Sequence, residues 1–262
     1  MAKICPLFSS SGGNSFYISC SGSAVLVDAG MNAKQLETAL ERIGADVSKI
    51  KAVLVTHEHG DHINGLRVFA SRYSLPVYAS EGTLEALEKK IDCSKLDLRA
   101  VSFDGFEAGG FSVMPFHTPH DSRESNGYRL FLPDGRSVAV ATDMGYVSDV
   151  VRNALLGCDA ILLESNHDVM MLQNGPYDYF LKRRILSREG HLSNDSCATF
   201  AKELFESGTT RFILGHLSKE NNEPSLAYQT TKAELDILGA TEGRDYILKV
   251  AKPVNDEGAM II

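Results

Sequence analysis

Thr56-His57-Glu58-His59-Gly60-Asp61-His62 places three imidazoles and three polar oxygen-bearing side chains, two of them carboxylates, within seven residues. It follows the apolar run Ala52-Val53-Leu54-Val55, which is short and β-branched enough to be a buried strand. The cluster therefore occupies the loop leaving that strand's C-terminal end. Neutral imidazole and carboxylate oxygen are ligands that suit Zn²⁺, Mn²⁺ or Fe²⁺. His57 and His59 stand two apart on an extended loop, whereas Asp61 and His62 are adjacent where a helix begins. The two halves do not turn readily onto one ion, so the spacing points to two neighbouring metals.

These residues match the pattern H-x-H-x-D-H, and on it the chain resembles the metallo-β-lactamase superfamily. The resemblance implies an α/β fold, an αβ/βα sandwich of two mixed sheets with outer helices and a hydrolytic metal centre at one edge. It also implies further ligands from loops spread along the chain. Asp143 follows the strand-like run Ser137-Val138-Ala139-Val140-Ala141-Thr142, and His216 follows Arg211-Phe212-Ile213-Leu214-Gly215. In Phe116-His117-Thr118-Pro119-His120-Asp121-Ser122, the His-Asp pair ahead of Asn126-Gly127-Tyr128 selects His120 by comparison with the nuclease-like branch. His117 reads as a partly buried loop histidine bonded to backbone, or as a residue supporting the metals from outside.

The resemblance then implies one ion on His57, His59 and His120, a second on Asp61, His62 and His216, and Asp143 bridging them. Two such ions ~3.5–4 Å apart lower the pKa of a shared water and clamp the attacking and leaving oxygens of a phosphodiester. Asp61 is the group that the family uses to orient the nucleophile. Glu58 lies between two ligands and is expected to point away.

Composition fits one domain spanning residues 1–262. Hydrophobic residues make up 44% and charged residues 23%, the usual balance of a globular chain. The five cysteines are scattered and never form C-x-x-C, so reduced core thiols are expected rather than disulfides or a thiolate metal site. Met1 to Ser11 has no charged-then-apolar signal segment, and no apolar run approaches the length of a membrane span. A cytoplasmic protein without membrane contact is the expectation, which argues against an exported lactamase. No linker, low-complexity tract or tandem repeat is visible.

A coarse pass along the chain places the motifs. Ser15 to Leu26 reads as a hairpin ending at Val27-Asp28-Ala29-Gly30, and Asn32 to Ile43 as a helix stopped by Gly44. Ile63–Tyr73 and Thr83–Ile91 read as helices around a short strand at Pro76–Ala79. Ala100 to Phe116 reads as short strands joined by Gly-rich turns. Tyr128–Leu132, a Pro133-Asp134-Gly135-Arg136 turn and the strand before Asp143 make a hairpin. Asp159–Glu164 reads as a buried strand, and Tyr177–Ser187, Asp195–Ser207 and Ser225–Leu238 as helices, with Tyr246–Val250 as a closing strand. Runs of strands followed by strand–helix alternation favour the sandwich over a doubly wound sheet.

Four further segments are similar to the YycJ (WalJ) group, relatives of RNase Z regarded as DNA exonucleases. They are Ser9-Ser10-Ser11-Gly12-Gly13-Asn14-Ser15, His120-Asp121, Leu163-Glu164-Ser165-Asn166-His167-Asp168, and the pair Gly190-His191-Leu192-Ser193-Asn194 with Gly215-His216-Leu217-Ser218-Lys219-Glu220-Asn221-Asn222. The group usually reads Ser-Gly-Ser-x-Gly-Asn-Ser at the first, and differs after His120-Asp121 without touching a ligand. The first segment suits either a phosphate-binding turn or a plain hairpin turn. The resemblance implies that His191 contacts the scissile phosphate or protonates the leaving oxygen, next to the N-cap residues Ser193 and Asn194. Glu164 and His167 are candidates to support it. Ser193, Asn194, Lys219 and Asn221 are candidate substrate contacts, with helix capping as the competing role.

Charge limits the partner. At −8, with pI ≈ 5.5, the chain lacks the global basic field of a duplex binder. Lys182-Arg183-Arg184 with Arg188 can form a local basic stripe or simply a solvated helix face. The expected partner is DNA held by local, metal-centred contacts. A small-molecule hydrolase of the same fold, such as a cyclic phosphodiesterase or thioesterase, is the alternative.

Overall fold

In the strand Ile50–Leu54 and its continuation, Ala52 and Leu54 face one apolar layer while Val53 and Val55 face another. A strand buried on both sides has to lie in the middle of a layered structure. The computed structural model describes residues 2–262 and shows such layers. The first sheet contains β1 (Lys3–Ser10), β2 (Gly13–Cys20), β3 (Ser23–Val27), β4 (Ile50–Leu54), β5 (Pro76–Ala79) and β6 (Asp97–Ala100). The second contains β7 (Phe106–Ala108), β8 (Phe111–His117), β9 (Asn126–Phe131), β10 (Ser137–Ala141), β11 (Ala160–Glu164), β12 (Arg211–Gly215) and β13 (Ile247–Val250). The last strand, β14 (Met260–Ile261), returns to the first sheet beside β1.

The two sheets run β14-β1-β2-β3-β4-β5-β6 and β13-β12-β11-β10-β9-β8-β7. From the β14 edge of the first sheet and the β7 edge of the second, each has three antiparallel pairings followed by three parallel ones. No tandem repeat is legible in the sequence, yet the two sheets share one plan. Ile18, Val27 and Leu54 of one sheet meet Leu130, Val140 and Ile213 of the other in the central layer.

Helices cover the outer faces. Helices α1 (Ala33–Arg42), α2 (Gly60–Ile63), α3 (Leu66–Tyr73) and α4 (Glu81–Lys90) belong to the first half. In the second half lie α5 (Asp149–Leu155), α6 (Val169–Asn174), α7 (Tyr179–Ile185), α8 (Asn194–Glu206) and α9 (Pro224–Ile237). Leu36, Leu40 and Phe69 pack on Val53 and Val77, while Leu155, Phe200 and Leu235 belong to the layer containing Ile161 and Phe212. The arrangement is the expected αβ/βα sandwich of two mixed sheets. No helix among the described residues is long and apolar enough to cross a membrane.

Local differences from the sequence reading have identifiable causes. The helix expected over Ile63–Tyr73 is split between α2 and α3. At the break, the Gly65 N–H donates to the Ala29 carbonyl, and a side chain there would overlap the Met31 carbonyl. Strand β1 was not expected. Its Pro6 sits where the register with β2 shifts, a bulge that tolerates a residue without an N–H. Short elements α5, α6 and β14 also escaped, because two to seven residues carry too little periodicity to register.

Candidate metal centre

The expected ligands sit at strand ends, in loops or in the first turn of a helix on one edge of the sandwich. His57 and His59 follow β4, Asp143 follows β10 and His216 follows β12, all at C-terminal ends of strands in parallel pairing. His120 lies in the β8–β9 connection, and Asp61 and His62 lie in α2, the first helical turn after β4. Parallel strands release their chains on one side of a sheet, so residues far apart in sequence converge there.

Backbone conformation marks the same place. Five non-glycine residues among those described have left-handed φ, and three are Asp28 (63°), Asp143 (58°) and His216 (56°). Each follows a strand end. Such conformations persist where surrounding structure over-determines them. Thr56 N–H and Oγ1–H donate to the two carboxylate oxygens of Asp28 at 2.8 Å each. The Ser9 hydroxyl accepts from His216 N–H at 2.8 Å, and the Met144 N–H beside Asp143 donates to Glu164 Oε2 at 3.0 Å.

Ligand-type atoms come together in overlapping groups. His57, His59 and His120 form one; Asp61, His62 and His216 another; His57, His62 and Asp143 a third, with the atoms of each group within 4.8 Å of one another. Asp143 lies between them, with Oδ2 3.3 Å from His62 Nε2 and Oδ1 3.8 Å from His120 Nε2 and 3.3 Å from His216 Nδ1. His117 joins none of these groups. It is exposed at the end of β8 and stacks on Phe103 at 4.0 Å, rather than sitting half-buried on backbone.

The imidazoles are oriented from behind. His62 Nδ1 is 2.7 Å from Asp28 Oδ2, His120 Nδ1 3.1 Å from the Gly190 carbonyl, and His216 Nδ1 2.8 Å from Glu164 Oε1. With Nδ1 held in each, Nε2 is the nitrogen left to face the common space. His57 Nδ1 contacts Thr56 Oγ1 at 3.0 Å. The buried atoms His57 Nε2, His216 Nε2 and Asp143 Oδ2 have no hydrogen-bond partner among the described residues. Unpartnered buried acceptors are costly, and a cation among them removes that cost. One ring nitrogen tied to a carboxylate or carbonyl and the other free is the arrangement of metal-binding histidines.

Electrostatics point the same way. Burial holds His57 well below the usual imidazole range, with His62, His120 and His59 adding to the effect, so its ring is a neutral donor. Burial also opposes protonation of His62 and His216. Against it, Asp143 with Asp28 raises His62 well above its ordinary value, and Asp143 with Asp61 and Glu164 raises His216 to about 10. Burial alone would neutralise Asp61, Asp143 and Glu164, yet the surrounding imidazoles keep all three low. A field that attracts protons to these rings attracts a divalent ion to the same atoms.

Several supporting residues were missed in the sequence or seen only in part. Asn14 Nδ2 donates to Asp61 Oδ2 at 3.1 Å, and Asn14 Oδ1 accepts from Ser10 N–H. The Ser9–Ser15 segment is thus a hairpin turn whose Asn14 and Ser9 hold Asp61 and His216. Asp28 was read only as part of a strand end, although a carboxylate before Ala-Gly at the end of an apolar strand was its available signal. Glu164 is fully buried, lies 2.9 Å from His191 Nδ1, and accepts from the Leu192 N–H at 3.0 Å. It supports His191, as expected. His167 is also buried, but neither ring nitrogen bonds anything. Glu58 points away, accepting from the Arg123 N–H at 2.9 Å.

The residues expected to contact substrate lie apart from the cleft lining. The Ser193 hydroxyl caps α8 by accepting from Ser196 N–H. Asn194 is buried against Ser165 and Asn222, Asn221 is buried, and Lys219 is exposed; none of the four lines the cleft. Helix capping took Ser193 and burial took Asn194 and Asn221, while Lys219 is left in solvent away from the cleft lining. The cleft over the cluster is instead walled by Ser11, Asn166, Tyr177, Leu181, Arg184 and Ser218, with His191 on its side. The basic stripe is also broken up: Lys182 donates to the Gln173 and Gly175 carbonyls, Arg184 pairs with Asp121, and Arg188 lies over Tyr146.

Gly30 closes the back of the motif. Its N–H donates to the Asn14 carbonyl at 2.8 Å, and a Cβ there would collide with the Asp61 carbonyl and the Asn14 nitrogen. Gly30→Ala is therefore expected to destabilise the fold by about 3 kcal/mol or more, since backbone on both sides has to move. Urea denaturation checks this; an unchanged midpoint contradicts the packing described.

Comparison with known proteins gives the family and the fold. A family model described as a β-lactamase superfamily domain matches residues 23–217. The chain is 39% identical over 246 residues to exodeoxyribonuclease WalJ of Streptococcus pneumoniae, covering 92% of this chain and 90% of that one. It is 36% identical over 249 residues to exodeoxyribonuclease YycJ of Bacillus anthracis, covering 94% of each. The metallo-β-lactamase fold protein YhfI from Bacillus subtilis superposes with a TM-score of 0.71 at 19% identity, over 97% of this chain and 98% of that one.

Proposed function

The chain belongs to the β-lactamase superfamily, in the family of the WalJ and YycJ exodeoxyribonucleases, and from that premise we propose that it is a two-metal phosphodiesterase that removes nucleotides from DNA ends. The observation that carries the metal reading is the convergence of oriented imidazoles and orphaned buried acceptors on one small space. His57, His59 and His120 would hold one ion, Asp61, His62 and His216 the other, and Asp143 both. Zinc and manganese suit this donor set, and iron is compatible with it. When bound, the pair supplies an activated water and a clamp on the phosphate oxygens.

The chain's own groups do the rest. Asp61, fixed by Asn14, orients the nucleophile. His191, held through Nδ1 by Glu164, presents Nε2 to the cleft, where it can hold the phosphate or protonate the leaving oxygen. We read residues 1–262 as one domain. All five cysteines are free and four of them are buried, which fits the reducing cytoplasm.

End-labelled single- and double-stranded DNA and RNA, incubated with Mn²⁺, Zn²⁺ or chelator, test the reading. Metal-dependent, stepwise shortening of DNA is expected. Hydrolysis confined to small phosphodiesters or thioesters sinks the exonuclease assignment. Binding should be only weakly salt-dependent, because few cationic side chains face the cleft. With log K falling by ~0.9 per neutralised phosphate, a slope steeper than about −4 contradicts local, metal-centred binding.

Asp28→Asn tests the support beneath the metals. It leaves shape nearly intact but removes the charge 2.7 Å from His62 Nδ1. Metal affinity is expected to fall about 10–100-fold. Competition with a chromogenic chelator measures this, and wild-type affinity would show that Asp28 does not tune His62.

A further inference from the structure

Helix α7 carries an aromatic pair that the fold leaves in solvent. Phe180 is 80% exposed and Tyr179 64%, the two most exposed aromatics among the described residues. The adjoining face of the same segment is part of the cleft: Tyr177, Leu181, Arg184 and Ile185 line it at helical spacing. Phe180 and Arg184 are four apart, so the exposed ring lies one turn from the guanidinium at the cleft rim.

Cations outnumber carboxylates around the pair on a chain whose net charge is −8, although Asp178 caps α7 and Asp121 pairs with Arg184. Lys182, Arg183 and Arg184 fill the last turn of α7. The Arg183 guanidinium lies 5.6 Å from the Tyr179 ring centre, with no carboxylate in ion-pair range among the described residues. Aromatic faces beside an unpaired arginine, continuous with a phosphodiesterase cleft, have the chemistry that binds single strands. Unpaired bases stack on the rings and the arginine meets a phosphate. A duplex hides its base faces and would demand a wider basic surface than this one.

We propose that α7 is a single-strand guide, in which Phe180 and Tyr179 stack on unpaired bases of a nucleic-acid end and Arg183 neutralises a phosphate between them. The terminal nucleotide then enters past Tyr177 and Arg184. This rests on the reading of the chain as an exonuclease and adds the form of substrate it grips: an end with an unpaired tail.

The test compares wild type with Phe180→Ala, Tyr179→Ala/Phe180→Ala and Phe180→Trp. Fluorescence anisotropy of a labelled, cleavage-resistant phosphorothioate oligo(dT) on the metal-loaded protein reads binding apart from cleavage. Each lost ring should weaken binding by roughly 5- to 100-fold, and Phe180→Trp should restore it. With Mn²⁺ present, turnover of tailed duplex relative to bis(p-nitrophenyl) phosphate should fall in the double variant. Unchanged oligonucleotide affinity in the double variant overturns the guide. So does a shift from dimer to monomer in sedimentation velocity with affinity unchanged, which would make the face a contact between copies. If wild type binds oligo(dT) through α7 yet shortens no DNA, the guide stands and the exonuclease reading fails. If both proteins bind and degrade tailed DNA equally, the guide fails and the exonuclease reading stands.

Discussion

His191→Ala is expected to lower turnover at a DNA end by roughly 10²–10⁴-fold while both metal ions stay bound, the range typical of a lost proton donor or acceptor. Its side chain lines the cleft, its Nδ1 is engaged by Glu164 at 2.9 Å, and no group among the described residues bonds its Nε2. The imidazole is thus fixed in direction and free at the end that meets substrate. Its ring centre lies 5.1 Å from that of His120 and 5.3 Å from that of His216, close to the cluster. Metal analysis and single-turnover hydrolysis on one preparation separate the two effects. Normal turnover with full metal content retires the proposed role. Loss of metal together with activity would move His191 into the ligand set, where its proximity to Asp143 and Glu164 would accommodate it.

Asp143→Ala is expected to have the larger effect, abolishing measurable hydrolysis and leaving at most one ion per chain. Its carboxylate is 2% exposed, and its two oxygens reach His62 on one side and His120 and His216 on the other. Removing it takes away the group that spans both clusters and leaves His62 and His216 with less compensating negative charge. Two tightly bound ions in the alanine variant, by elemental analysis after dialysis, would show that Asp143 does not join the sites. A circular dichroism spectrum like wild type guards against unfolding as the cause.

Much of the fold and the candidate ligand cluster was legible because each rests on a local pattern. His57-Glu58-His59-Gly60-Asp61-His62 is contiguous, and Asp143 and His216 each follow a run of apolar residues that can only be a buried strand. Chain order and strand spacing then imply a sandwich. The choice of His120 over His117 came from resemblance, and the structure places His120 beside His59 while His117 stacks on Phe103.

Other features depended on contacts across long sequence separations. Asp28 serves His62 thirty-four residues away, Glu164 serves His216 fifty-two away, and Ser9 caps the His216 backbone two hundred and seven away. No periodicity or local motif encodes such pairs. Ser193 and Asn194 have the residue types of substrate contacts, but a helix cap claims the Ser193 hydroxyl and Ser165 and Asn222 claim the Asn194 amide, whereas Asn221 is simply buried, its amide without a hydrogen-bond partner among the described residues. Which polar side chain stays free for a ligand is settled by competition among hydrogen-bond partners, and only the packed structure supplies the competitors. What residues 56–62 determine by themselves is donor chemistry; what the tertiary structure decides is which nitrogen of each ring faces the cleft.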